Sequence, residues 1–300
     1  STAAVVGVSS EAKANNVVRL VHAMLAAGDN STIDCRSAGY GSAAVGAAMY
    51  CADGNCQLEV VHSTMSVSRN CTVSSRSGQS GATVGAAVVS NSGSSSVSFH
   101  DTTMAAVRDC RIRSSSHTIG DSFAAMGVAV RSYLANTVAM SRVTLVAARG
   151  CDVSSRANAV AAALGVAQSS IRGSNALRVD ASVIAAAYYC RIRSEAAATA
   201  AAVGFSSWST CCDNNLRLAN TTLVARLGCR VDAQCSDAGG AAAVGVAAWS
   251  NLGGAAIALA DTVIAVVHNG TVTGSSALSS GVVATVGVAV LSNMAVTVAV

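Results

Sequence analysis

Residues 241–281 read AAAVGVAAWSNLGGAAIALADTVIAVVHNGTVTGSSALSSG, and the rest of the chain rewrites this stretch at a period of about forty residues. The phrase around its first glycine recurs at Gly7, Gly46, Gly85, Gly127, Gly165, Gly204, Gly245 and Gly287, spaced 39, 39, 42, 38, 39, 41 and 42 residues apart. A fixed period of this size marks a stacked repeat protein. Within the repeat, Ile257 and Leu259 are two residues apart, Ile264 and Val266 two apart, and Val272 follows. The same places hold Leu58, Val60, Met65, Val67 and Val73, then Val97, Phe99, Met104, Ala106 and Ile112. The step from the first to the third of these positions is seven residues, down to Val18 and Leu25 in the first repeat.

Apolar residues two apart with small or polar ones between have the period of a half-buried strand. Each strand is a few residues long and ends in a polar turn, so its inner face is buried only by stacking the next repeat. The expected fold is therefore all-β: a parallel β-solenoid, a right-handed β-helix of about eight repeats of some forty residues, forming a single array over residues 1–300. The complete absence of proline agrees, because a coil whose amides all donate to a neighbour excludes a residue with no donor. Aromatics are 3% of the chain, which implies thin coils filled by small side chains. The Ala-rich segment 194–203 raises the alternative of a helix in each repeat, but its counterparts at 74–81 and 114–120 are Ser- and Gly-rich and argue against one. Leu278–Val300 is long and apolar enough to be weighed as a membrane span, yet its glycine phrase is in phase with the other repeats.

The net charge of +4, almost all from arginine since Lys13 is the only lysine, is too small for a nucleic-acid footprint. No phosphate-binding or dinucleotide loop occurs, and Gly120-Asp121-Ser122 lacks the rest of a nucleophile elbow. The glutamates Glu11, Glu59 and Glu195 lie in different repeats, so no paired-carboxylate glycosidase site presents itself. His22, His62, Asp101, Arg142, Ala181, Asn220 and Asp261 share one turn position, where His22, His62 and Asp101 would stack; a solvated turn ladder is the expectation there, with no metal and no cofactor.

Five of the eleven cysteines, Cys71, Cys110, Cys151, Cys190 and Cys229, sit six residues after the third apolar position and form a ladder, with Ser31 and Gly270 in the equivalent places. They read as small buried thiols. The off-phase Cys51, Cys56, Cys211, Cys212 and Cys235 are assigned to loops and to local disulfides, which suit an extracellular protein. N-glycosylation sequons stand at Asn30, Asn70, Asn220 and Asn269, in positions that also suit a left-handed turn residue. After the cysteine position comes a charged ladder, Arg111, Asp152, Arg191 and Arg230, with Arg113 and Arg193 two residues on. Opposite charges on adjacent coils pair across such a ladder; the arginines also form a candidate basic face for anionic glycans.

The phrases AAVGVAxxSN, NCxVxS and the looser VxLxDTTIxV, in an Ala/Val/Ser/Cys-rich chain carrying sequons, resemble the large repetitive surface proteins of kinetoplastids, the dispersed gene family proteins of trypanosomes and bodonids. That resemblance implies a cell-surface or secreted β-helix, pectin-lyase-like in shape, anchored in the membrane outside this segment and acting in adhesion. Since the chain begins inside a glycine phrase, it reads as a segment of a longer array, whose neighbouring repeats are partners along with glycans or surface and matrix proteins. The expected role is structural or adhesive and not enzymatic. The alternative is a carbohydrate-active β-helix enzyme, which a convergence of carboxylates and arginines on one strand face would favour.

Overall fold

The computed structural model describes residues 2–37, 40–116, 121–236, 239–276, 282–292, 294 and 296–299. They form thirty strands and no helix, arranged in four parallel sheets of eight, eight, seven and seven strands. Each strand pairs with its counterpart one repeat away, as in Leu58 beside Val97 and Val97 beside Val138. One repeat is therefore one solenoid turn, giving about seven complete turns where the sequence suggested eight repeats; the last glycine phrase begins a turn whose third and fourth strands are not among the described residues. The helical alternative is overturned, since 194–203 spans the end of one strand, Arg191–Ala196, and the start of another, Thr199–Ser209. The apolar run that follows Leu278 is likewise strand at Val282–Ser292 and Val296–Ala299, and no helix among the described residues is long and apolar enough to cross a membrane.

The second turn shows how each coil is built. Strands Cys56–Val61, Thr64–Ser68 and Thr72–Arg76 alternate buried and part-exposed residues, with Leu58, Val60, Met65, Val67 and Val73 inside. A single residue of positive φ, His62 at 48°, makes the first corner, and two in succession, Arg69 at 62° and Asn70 at 56°, make the second. Corners of fixed length are what lock the seven-residue step. Buried side chains add a second donor to the corner carbonyls, most of which already accept an amide from the preceding turn, as Val61 does from His22 and Ser68 from Asp29. At the first corner Ser63, Thr102, Ser182 and Thr221 donate to the carbonyl two residues earlier. At the second, the thiols of Cys71, Cys110, Cys151, Cys190 and Cys229 donate to the carbonyl three residues earlier, at 2.8 to 3.3 Å. Ser31 supplies a hydroxyl to the same end in the first turn. The cysteine ladder is thus a column of buried turn caps as well as packing.

Sequence periodicity missed the longest strand. The glycine phrase is an eleven-residue strand in every turn, and in Gly41–Cys51 all eleven residues are buried. Alternation is lost because the strand folds back on itself. The ladder pairs Ala43 with Ala82 and Val45 with Val84 and skips one residue in both strands, a shared bend that turns both Ala44 and Val45 into the main core. Gly46 follows at a φ of 145°. A β-carbon there would lie 1.8 Å from the carbonyl oxygen of Gly85 in the next turn, so only glycine fits.

Past the bend, the outward faces of the two arms meet each other. Ala162 packs with Ala167, and Ala242 with Ala247, across their glycines. Ser206 donates to Thr199 at 2.9 Å and Ser122 to Ser169 at 2.8 Å. At the open end of the fold Tyr40 stacks on Tyr50, ring centroids 3.7 Å apart. The seam between the arms holds Ala, Ser and Gly because two pleated layers approach closely only with short side chains. The other three sheets wrap around this wedge. The fourth packs on the first arm, where Ser114, Ser155 and Ser194 donate to the carbonyls of Gly81, Phe123 and Ala161. The second packs on the returning arm through a buried asparagine column: Asn136 donates to Asn175 at 2.8 Å and Asn175 to Asn214 at 2.9 Å, while each also donates to a carbonyl of the long strand.

Candidate functional site: an arginine-bearing sheet face

The inner face of the fourth sheet is committed to the core, through Val73, Ile112, Val153, Ile192 and Val231, so the alternate residues must face solvent. Register places them in three rows. Arg111, Asp152, Arg191 and Arg230 are consecutive partners in the first row, and Arg113, Ser154, Arg193 and Asp232 in the second. The third row runs Arg36, Arg76, Ser115, Arg156, Glu195 and Gln234. The first two rows are among the sequence expectations and the third is not, although its signal is present: Arg36, Arg76 and Arg156 each stand five residues after the turn-cap position. This face carries eight arginines against four carboxylates, and that difference equals the +4 of the whole chain.

The carboxylates are distributed among the arginines. Arg36 meets Asp34 at 2.6 Å, Arg156 meets Glu195 at 3.2 Å, and Arg193 meets Glu195 at 2.5 Å. Asp152 lies 3.9 Å from both Arg111 and Arg113. Hydrogen bonds from Ser74 and Arg36 hold the Asp34 carboxyl below its usual range. Exposed pairs of this kind contribute about 0–1 kcal/mol each, so the face is little committed to stability. Among the described residues, Arg76, Arg191 and Arg230 have no carboxylate within ion-pair distance. Beside the rows, a cleft of about 530 Å³ is lined by Arg156, Arg193, Glu195, Gln234 and Ser276.

The other candidates are placed as follows. His22 and His62 do stack, with ring centroids 5.1 Å apart, and His100, which the sequence reading did not include, meets His62 edge-on at 6.1 Å. Asp101 touches His100 at 3.1 Å and is gripped by Arg142 at 2.5 and 2.9 Å. The Arg142 hydrogen bond holds the Asp101 carboxyl below its ordinary range. That corner is a solvated ion-pair cluster, and among the described residues no group of three or more histidines, cysteines or carboxylates is arranged to hold a metal.

Cys51 and Cys56 are bridged and close the turn between two strands; Cys211 and Cys212 are also bridged. Cys235 is not in a loop: it is a buried residue that ends a strand and donates to the carbonyls of Ala197 and Ala198. In the ladder, hydrogen bonds to the Cys151 and Cys229 thiols, together with burial, push the Cys190 thiol up, while hydrogen bonds from the neighbouring thiols hold Cys151 and Cys229 below the usual thiol range.

Asn30, Asn70, Asn220 and Asn269 are all exposed corner residues of positive φ. Of Gly120-Asp121-Ser122, Gly120 lies outside the described residues. Asp121 is buried and accepts from the amides of Asn158 and Ala159 at 2.8 and 2.9 Å, and burial raises its carboxyl. Ser122 is tied to Ser169 inside the folded strand, so this pair serves the seam. No known protein family, curated protein or solved structure matches the chain.

Proposed function

We propose that the chain is a structural or adhesive β-solenoid segment of a cell-surface or secreted protein, which presents the outer face of its fourth sheet to anionic glycans. The observation that carries this reading is the register-locked rows of arginine, with Arg76, Arg191 and Arg230 unneutralised and the full net charge of the chain concentrated on one face. Arginines stacked about 4.8 Å apart on successive coils offer a repeating polyanion a repeating set of forked donors. The Cys51–Cys56 bridge and four exposed sequons favour an oxidising, secretory environment. The resemblance to kinetoplastid surface proteins, with an anchor elsewhere in a longer chain, fits the same setting. The enzyme alternative also draws on this face, where Glu195 and Asp232 both reach Arg193, at 2.5 and 3.9 Å, and the turnover assay below separates the two readings.

The test is an array of neutral and acidic polysaccharides probed with the purified chain, beside a turnover assay on the same sugars. Saturable, salt-sensitive binding to acidic members, weakened by Arg111→Ala and Arg191→Ala and without bond cleavage, is expected. Cleavage would establish the enzyme reading in its place, and absence of binding would sink both.

A further inference from the structure

The corner between the third and fourth sheets is made by two successive residues of positive φ. Successive turns fill it with Asp29-Asn30, Arg69-Asn70, Arg108-Asp109, Arg149-Gly150, Tyr188-Tyr189, Leu227-Gly228 and His268-Asn269. Asn, Asp and Gly suit this conformation; an aromatic side chain does not. Yet Tyr188 and Tyr189 stand there at 60° and 61°, and they are 51% and 78% exposed. The chain has five tyrosines. Tyr40 and Tyr50 stack on each other, and Tyr133 lies under the Arg172 guanidinium. Of the five tyrosines, Tyr188 and Tyr189 alone stand at a positive-φ corner.

The neighbours of these rings are specific. Tyr189 lies over Gly228 of the next turn, where any β-carbon would stand 2.7 Å from two ring carbons. Glycine therefore makes room for the Cδ1–Cε1 edge of the ring, and the side chain stays 78% exposed. On the preceding turn Gly150 donates its amide to the Tyr188 carbonyl, so Arg149 is the column neighbour of Tyr188. Arg191 follows Tyr189 by two residues and is paired in the ladder with Arg230. Among the described residues none of these three arginines has a carboxylate within ion-pair distance. The nearby acids are engaged elsewhere: Asp152 faces Arg111 and Arg113, and Asp109 leans over Gly150.

We propose that Tyr188 and Tyr189, with Arg149, Arg191 and Arg230, form a subsite for an acidic saccharide unit. The negative face of an aromatic ring takes the electropositive C–H face of a sugar, and the flanking guanidinium forks take its carboxylate or sulfate. This subsite rests on the proposed glycan-binding role and locates it at one corner of the basic face.

The experiment is titration calorimetry of the full chain with three probes: a galacturonic acid hexamer, a heparin-derived hexasaccharide, and a polyphosphate of matching charge that has no sugar ring. Tyr188→Asn and Tyr189→Asn preserve the corner, since asparagine already occupies it in other turns. The expected result is at least a tenfold loss of affinity for one or both saccharides in Tyr189→Asn, with polyphosphate binding unchanged, while Arg191→Gln weakens all three. The two saccharides separate carboxylate from sulfate recognition. If both tyrosine variants bind the saccharides as tightly as the parent chain, the aromatic subsite is wrong and the basic face alone does the binding. If the parent chain binds neither saccharide, the glycan-binding role and the subsite fall together.

Discussion

Replacing Gly165 by alanine tests the folded long strand most directly. Gly165 has a φ of 145°, and a β-carbon there would lie 1.7 Å from the Gly204 carbonyl oxygen of the next turn. Holding alanine in that backbone region costs about 1–3 kcal/mol. Relief of the collision needs the two turns to part by well over an ångström, which takes neighbouring ladder bonds past hydrogen-bond length; two such bonds at about 1 kcal/mol each bring the total to about 3–5 kcal/mol. Two companions separate the contributions. Gly287 has a φ of 120° but nothing within 4 Å of the same position, so Gly287→Ala should show the strain alone, about 1–3 kcal/mol. Gly28 has no such φ and meets only the flexible Ser68 hydroxyl at 3.2 Å, so Gly28→Ala should fall within about 1 kcal/mol of neutral. Because stacked repeats open locally, the assay is amide hydrogen exchange at the ladder partners Leu164 and Val203 and their neighbours, beside the global urea transition. A Gly165→Ala protein as well protected as Gly28→Ala would refute the re-entrant strand, and equal losses at Gly165 and Gly287 would refute the inter-turn collision.

Two further predictions concern buried polar groups. Cys151→Ser, which keeps a side-chain donor to the Ala148 carbonyl as Ser31 does for Gly28, should change stability by less than about 1 kcal/mol, whereas Cys151→Ala leaves that carbonyl only the Arg108 amide as donor and should cost about 1 kcal/mol more than the serine variant in urea melts. At Asp121, burial raises the carboxyl in the folded protein, so the stability it contributes is complete below the unfolded value of about 3.9 and is lost as pH rises through the folded value. Asp121→Asn, which retains an oxygen for the Asn158 and Ala159 amides, should flatten that decline; urea midpoints measured upward from pH 4 that fall as steeply in the variant as in the parent would contradict it.

The repeat period, the parallel stacking, the absence of proline and the inward residues Leu58, Val60, Met65, Val67 and Val73 are legible in the sequence, because a strand with one wet face writes its geometry as alternation. The cysteine column and the first arginine rows are legible for a related reason: in-register stacking turns a shared phase into spatial adjacency. Tertiary structure alone decided the rest. The glycine phrase is buried on both faces, so its eleven residues show no alternation, and the reason for its glycine lies in a carbonyl one turn away. The donors of Cys71, Ser155 and Asn175 look like ordinary small or polar residues until the carbonyls they satisfy are brought to them by the corners and the folded strand. Likewise Tyr188 and Tyr189 are two adjacent aromatics in the chain, and only the left-handed corner, with Gly228 seating one ring, holds them out beside Arg149 and Arg191. Short-range periodicity records which face a residue turns, while contacts made some forty residues away decide what it meets there.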